Sequence, residues 1–469
     1  MDFPAFCCSS GKMKKLNIAV GVASVGLAAL AAKIPVDFSQ ELGPVKRLNG
    51  MVNTAPIALT LYPEKDMLSA TKELEIPCTR FHDASLESPG YDLIDVTRVF
   101  PLFHLDPDDE RNYNFAATDD MLARCRETGS DIEYRLGESI EHSARQYKVH
   151  APKDFAKWAE ICVHIIRHYN EGWANGFRWN IRRWSIWEEP DNPPVLLPGK
   201  NAFREKYMPL YEITAKRIKR EFPDLLVGGP AGCGVMSGIK LARYCKEHGA
   251  PLDFMGWDCY ARDPEFLFTG AVDARRFLDE LGFTKTENVI AEWHYGPESW
   301  EVIKHPEQGP AYGEELNGLE SAAYAAAVLQ RFQDAPVDQM FFYTGGCNLF
   351  GVYDGWRRKR LKWYVFRAFA DVARGATRVA APSKAADGWY CLASKNAEGR
   401  GHVFASALRQ PGPLQLEVKG GMKPVRVRVI DRLRKLDEAT DWTWKPEKGL
   451  LTVPRQLGES AVWLVEFAK

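Results

Sequence analysis

Trp184-Ser185-Ile186-Trp187-Glu188-Glu189-Pro190-Asp191 decides how this chain is read. Its first half is a short apolar strand, and its second half halts that strand with two carboxylates and a proline. Seven other short apolar runs lie at residues 48–52, 76–81, 131–136, 225–229, 254–258, 289–292 and 339–343, which with 184–188 makes eight. Amphipathic helices separate them. Between residues 152 and 170, Phe155, Trp158, Cys162, Ile165 and Tyr169 recur at steps of three and four, laying one apolar stripe on a helix. A second helix is expected from a Thr118 N-cap, followed by Asp119 and Asp120, to a Gly129 stop, and 210–222 and 319–332 have the same texture. Eight strand–helix units predict the α/β class and a (β/α)8 barrel of the TIM type. The competing doubly wound sheet needs a glycine-rich turn after its first strand, whereas Val52-Asn53-Thr54-Ala55-Pro56 follows here.

Beyond about residue 377 the pattern changes. Short alternating runs at 390–394, 401–405, 414–418, 425–429 and 461–467 are separated by Gly, Pro and charged turns. They predict a C-terminal all-β sandwich over 377–469, with 35–40 as an extra strand from the N-terminal side. The barrel is assigned 34–376. Residues 1–33 read differently again: Lys12, Lys14 and Lys15 precede an apolar run from Leu16 to Ala32 that contains the small-x-small pattern Ala29-Leu30-Ala31. That is the layout of a secretory signal peptide, so a secreted or periplasmic protein is expected, membrane-anchored if the segment stays uncleaved. The run is short and weakly apolar for a membrane span.

Composition narrows the partners. Basic and acidic residues, 61 and 62, nearly cancel to a net charge of −1, which offers no electrostatic case for nucleic acid or a membrane surface. The 14 Trp, 17 Tyr and 24 Phe are enough to supply both a core and flat faces for sugar rings, whose C–H groups pack on aromatic planes. The ten cysteines are scattered singly, or paired only at Cys7-Cys8, and none has metal-ligand spacing.

In a barrel the chemistry sits at the C-terminal ends of the strands. The fourth strand ends Trp187-Glu188-Glu189-Pro190-Asp191 and the seventh ends Ala291-Glu292-Trp293-His294-Tyr295. Two carboxyl groups at opposite strand ends can face each other across a pocket. Glycoside hydrolysis needs that arrangement: one protonated acid for the leaving oxygen and one ionised carboxylate as nucleophile or base. A glutamate at one strand end is weak evidence, since it serves equally as a solvated loop residue. The pair, flanked by tryptophans, is stronger.

Trp-Glu-Glu-Pro resembles the Trp-Asn-Glu-Pro acid/base motif of the barrel clan with catalytic glutamates on strands four and seven. Within that clan the chain is similar to glycoside hydrolase family 39, which includes β-xylosidases and α-L-iduronidases. Thr79-Arg80-Phe81-His82-Asp83, Phe100-Pro101 with Asn112-Tyr113-Asn114-Phe115, Tyr134-Arg135-Leu136-Gly137-Glu138, Gly228-Gly229-Pro230-Ala231 and Leu252-Asp253-Phe254 extend the resemblance along residues 35–469. It implies that Glu189 is the acid/base, that Glu292 is the nucleophile and that anomeric configuration is retained. Three positions depart from the family's pattern. Glu188 replaces the Asn before the acid/base, Trp257-Asp258-Cys259-Tyr260 replaces Trp-His-x-Tyr, and His294 stands where Asn follows Glu-Trp. The family's Asn contacts the sugar's 2-hydroxyl; an amide can donate there and a carboxylate cannot, so an altered 2-position subsite follows.

Glu188 and Asp258 should raise the pKa of Glu189, with a protonated His294 offsetting the added charge. The changed trio reads in three ways: a subsite retuned for an unusual sugar, including an amino sugar; a silent carbohydrate-binding relative; or a metal site of two carboxylates and one histidine. The first is adopted, with no metal and no cofactor. A lyase or transglycosidase would use the same carboxylates. Asn53, Arg80, His82, Arg135, Tyr260, Trp293 and Tyr343 complete the candidate subsite. Tyr343 is placed to bond the nucleophile, and Arg135 to pair with Glu138 or another carboxylate. Trp187, Trp257 and Trp293 are candidate sugar platforms or core residues. The expected partner is a carbohydrate substrate, with pocket shape depending on loops 85–92, 191–201 and 263–272.

Overall fold

The described chain opens on strand β1 (Lys33–Pro44), which joins a sheet formed by the last third of the sequence. The next eight strands are parallel neighbours in a closed barrel: β2 (Gly50–Val52), β3 (Cys78–Phe81), β4 (Asp131–Leu136), β5 (Arg183–Ile186), β6 (Leu226–Gly232), β7 (Phe254–Ala261), β8 (Glu287–Tyr295) and β9 (Gln339–Phe342). This computed structural model describes residues 33–54, 67–82, 91–141, 146–192, 196, 198, 201–297, 300–454 and 460–469. The signal-peptide pattern and most of loop 85–92 lie outside the described residues. No described helix is long and apolar enough to cross a membrane.

All eight expected barrel runs are strands, each displaced by a few residues at most. Helix Phe155–Asn170 begins at Asp154, whose carboxylate accepts from the Lys157 amide at 3.0 Å. Helix Ala116–Glu127 starts two residues before the expected Thr118 cap. The Thr118 hydroxyl instead donates to the Leu93 carbonyl, so a tertiary contact has taken the side chain that a cap would use.

Successive strand residues point to opposite faces, and packing shows which face is which. Tyr134 stacks on Trp184 at 5.1 Å and meets Tyr169 of helix Phe155–Asn170 at 5.7 Å, so both rings point outward. Their neighbours Glu133, Arg135 and Arg183 therefore point inward. Trp257 lies against Gly270 of helix Pro264–Glu280 and donates to Asn288 at 2.9 Å. Asp258, the next residue, consequently faces the interior.

Contacts divide the chain into two compact units: Arg47–His294 with Asp334–Trp363, which holds the barrel strands, and Met1–Lys46 with Tyr295–Gln333 and Tyr364–Lys469. The second unit is built on the separate all-β sheet. Its further strands are β10 (Thr377–Ala380), β11 (Lys384–Ala386), β12 (Trp389–Lys395), β13 (Gly401–Ala407), β14 (Leu414–Lys419), β15 (Lys423–Ile430), β16 (Lys435–Glu438), β17 (Thr443–Lys445), β18 (Leu450–Val453) and β19 (Ala461–Ala468). They form one hydrogen-bonded path, β16-β15-β19-β13-β12-β10-β1-β14-β18-β17, with β11 on β12. Phe38 of β1 and Phe467 of β19 meet at 5.1 Å although three strands separate them along the path. The sheet thus folds over itself around an apolar core that includes Ile34, Leu416, Val427 and Trp463. The eight described cysteines are free, and six of them are buried.

Candidate active site

Strand β5 ends at Ile186, and the chain then turns sharply. Trp187 and Glu189 take φ of 69° and 34°, which side chains rarely adopt. Backbone bonds hold the turn on both sides: the Trp187 amide donates to Leu136 at 2.7 Å and the Glu189 amide to Ala231 at 2.9 Å. Gly137 leaves room for it, because a Cβ there would lie 2.8 Å from the Trp187 Cα. Such an over-determined strained segment is typical of functional sites. It buries Glu188 completely and leaves Glu189 part of its surface in contact with solvent.

Glu188 sits in a cationic clasp. Arg80 of β3 donates from Nη2 to Glu188 Oε2, and His82 Nδ1 lies 3.4 Å from the same oxygen. Burial alone would raise the Glu188 pKa, but Arg80 and His82 outweigh it and hold the group below the usual carboxylate range. The same two cations reach Glu292 of β8: Arg80 Nη1 at 3.5 Å from Oε1, and His82 Nε2 in direct contact with that oxygen. Tyr260 of β7 donates its hydroxyl to Glu292 Oε2 at 2.7 Å. Burial would depress the His82 pKa; the Glu188 and Glu292 carboxylates push it up instead, to about 10. His82 is therefore an imidazolium bridging two anions.

Glu189 has the opposite environment. Burial, with the charges of Glu292 and Glu188, pushes its pKa up to about 8, and one hydrogen bond from Asn192 Nδ2 at 2.8 Å opposes the shift only partly. Asp258 is raised too, first by burial and then by Glu292, Glu188 and Glu189. Neither of its buried oxygens has a hydrogen-bond partner, and Glu188 Oε1 also lacks one. Two cations, Arg80 and His82, thus face the carboxylates of Glu188 and Glu292, while burial and like charge favour the protonated forms of Glu189 and Asp258.

Other candidates land differently. His294 faces Lys362, whose Nζ lies 3.0 Å from its Nε2, so the offsetting cation is His82. Trp187, Trp257 and Trp293 are each at most 1% exposed and offer no face to a sugar. Tyr260 occupies the place expected of Tyr343, whose ring packs against His82 at 5.6 Å and Phe350 at 5.6 Å. Arg135 pairs with Asp95 at 2.7 Å and Ser139 at 3.0 Å, the other-carboxylate pairing expected as the alternative to Glu138. Asn53 accepts the His82 amide at 3.3 Å. His82, Glu188 and Glu292 do have the mutual spacing of metal ligands. Arg80 and the protonated His82 together already balance those two carboxylates, and a metal would have to displace both the Arg80 pairing and the His82 proton, so these residues do not fit a metal. Neither Asp258 nor His294 belongs to that cluster.

Sequence reasoning missed Asn192 and the buried Glu133. Glu133 lies 3.4 Å from Arg80 and 2.9 Å from Arg183, which in turn pairs with Glu287. Asn192 stands three residues after Glu189, a spacing that could have flagged it. Glu133 carries no distinctive local signal, being one of three charged residues that alternate with apolar ones along strand β4.

Residues 86–286 match the model of glycosyl hydrolases family 39. A β-xylosidase of Geobacillus stearothermophilus is 34% identical over 113 residues, 23% of this chain and 21% of that protein. One from Caldicellulosiruptor saccharolyticus is 28% identical over 117 residues, 24% of this chain and 23% of that protein. The chain thus matches under a quarter of the length of these curated relatives. Solved structures extend the fold likeness over nearly the whole chain. A glucosidase from Croceicoccus marinus aligns with a TM-score of 0.75 at 21% identity, covering 94% of this chain and 99% of that one. The GH39 enzyme from Xanthomonas axonopodis pv. citri aligns with a TM-score of 0.69 at 17% identity, covering 94% and 99%.

Proposed function

We propose, from the match of residues 86–286 to glycosyl hydrolases family 39, that the protein is a retaining glycosidase acting on β-xyloside-like linkages. The observation that carries the reading is the split between two buried glutamates. Glu189, with its pKa pushed up to about 8, holds a proton at neutral pH and gives it to the departing glycosidic oxygen. Glu292, steadied by Arg80, His82 and Tyr260, attacks the anomeric carbon and forms a glycosyl ester. Glu189, now ionised, then takes a proton from water as the water attacks that carbon. Glu292 leaves as carboxylate and the configuration is retained.

Glu188 puts a buried anion, held by Arg80 and His82, where the family resemblance places an amide, which is the altered 2-position subsite, and Asp258 adds a second carboxyl whose pKa burial raises. Because Arg80 and His82 already balance the added carboxylate, a neutral sugar suits the pocket better than an amino sugar. The leader pattern from Lys12 to Ala32 supports export; N-terminal sequencing of the mature protein finding Met1 or Met13 would count against it.

The test uses a panel of aryl glycosides that includes β-xylosides. Glu292→Gln should abolish turnover, and measurable residual hydrolysis would remove Glu292 from its role. Glu189→Gln should cost about 10²–10⁴-fold with poor leaving groups and far less with good ones, which depart without protonation. In the parent, kcat/KM should fall as pH rises past about 8, where Glu189 loses its proton, and Glu189→Gln should lack that limb.

A further inference from the structure

The barrel unit exposes its large apolar side chains unevenly. Among the described residues, eight are exposed; Leu102, Tyr147, Leu349 and Trp356 lie on loops that follow strands, and Met236 and Phe266 lie in the first turns of the helices Val235–His248 and Pro264–Glu280 that those loops lead into. Those connections form the catalytic face of a β/α barrel. Trp356 stands out at 76% exposure.

The loop that carries Trp356 is fastened at many points. Asp354 Oδ1 accepts the Trp356 and Arg358 amides, both at 2.9 Å, and Oδ2 accepts Arg358 Nε at 2.6 Å. Arg360 Nη1 donates to the carbonyls of Leu349 at 3.2 Å and Gly351 at 3.0 Å, and Tyr353 bridges Lys359. The same loop is tied to the chemistry. Phe350 packs on Tyr343 at 5.6 Å and on Tyr260 at 6.1 Å, and Tyr260 bonds Glu292. Six residues of chain limit Trp356 to about 20 Å from Phe350.

A loop fastened at these points holds an indole in water on the face that carries Glu189 and Glu292, and a ring 76% exposed contributes little to folding. We propose that Trp356 is a stacking platform for a sugar unit beyond the cleaved bond, so that the natural substrate is an oligosaccharide or polymer chain. This rests on the glycosidase reading. An indole face takes the C–H face of a pyranose ring, and such a contact is insensitive to which hydroxyls are substituted. Holding the ring in place beforehand removes ordering cost from binding.

The experiment compares the parent, Trp356→Ala and Trp356→Phe on an aryl β-xyloside and on xylo-oligosaccharides from the disaccharide to the hexasaccharide. Calorimetric affinity for the hexasaccharide and sedimentation of each protein are read alongside. Trp356→Ala should lower kcat/KM for the longest substrate by about 3- to 10-fold, mainly through KM, and Trp356→Phe should recover most of it. The loss should shrink as the chain shortens. An equal loss on every substrate, no loss on any, or a change of sedimentation without length dependence would overturn the platform. If the parent hydrolyses nothing yet binds the hexasaccharide through Trp356, the platform stands and the catalytic reading falls. If it neither hydrolyses nor binds, both fall.

Discussion

The two units place their charges in opposite ways. Inside the barrel, Glu287, Arg183, Glu133, Arg80, Glu188, His82 and Glu292 form a chain of alternating sign, most of it buried. In the folded sheet an aliphatic and aromatic cluster forms the core, and the ion pairs lie outside it: Arg426–Glu438 and Lys33–Glu417 are about half exposed, and Arg428 with Asp371 and Glu466 is partly buried. Burying charge costs more than burying an aliphatic side chain, and a buried ion pair seldom repays that cost as stability. The difference teaches that the barrel interior is arranged to set the ionisation of a few groups, while the sheet interior is arranged to hold together.

The largest test breaks the barrel's chain at its centre. Arg80→Met should abolish activity and destabilise the barrel by about 3–5 kcal/mol, because the buried Glu188 and Glu292 would be left to share His82 as their remaining cation and Glu133 would lose a partner. Denaturant titration with parallel kinetics reads both, and a stable, active variant would dissolve the contrast. Next, Trp463→Ala in the sheet removes a ring stacked on Trp389 at 5.9 Å and should cost about 3–5 kcal/mol. Here kcat/KM well below the melting temperature should be unchanged, and a change would mean that the sheet's core supports the chemistry. The smallest effect belongs to Arg426→Ala, whose 3.1 Å pair with Glu438 is roughly half exposed on both sides. It should shift stability by less than about 1 kcal/mol, weakening further with added salt. A loss comparable to Arg80→Met would show that the sheet also depends on its charges.

The barrel was legible because its evidence is local. Each strand is a short apolar run, each helix an apolar stripe at steps of three and four, and both periods are set by backbone geometry that neighbouring residues reveal. The two glutamates near the C-terminal ends of the fourth and seventh barrel strands were legible for the same reason, since a carboxylate set against an apolar run is visible without a fold, although strand β8 continues past Glu292 to Tyr295. Thr118 shows the limit: its composition suited a helix cap, and a carbonyl from a distant segment took the hydroxyl.

The charge state of each group is a property of its surroundings and was not legible. Glu188 and Glu189 are adjacent in the chain, yet one is held below the ordinary carboxylate range and the other is pushed up to about 8. The difference comes from Arg80 and His82, more than a hundred residues away in sequence and brought close by barrel closure. Which tryptophans are core, which tyrosine bonds Glu292 and which histidine is the cation depend in the same way on what lies across space. By itself the sequence determined the barrel, the separate sheet and the candidate pair of carboxyls, because hydrophobic periodicity and strand ends are written locally. Tertiary structure decided which carboxyl keeps its proton, because desolvation and Coulomb attraction act between residues that only folding makes neighbours.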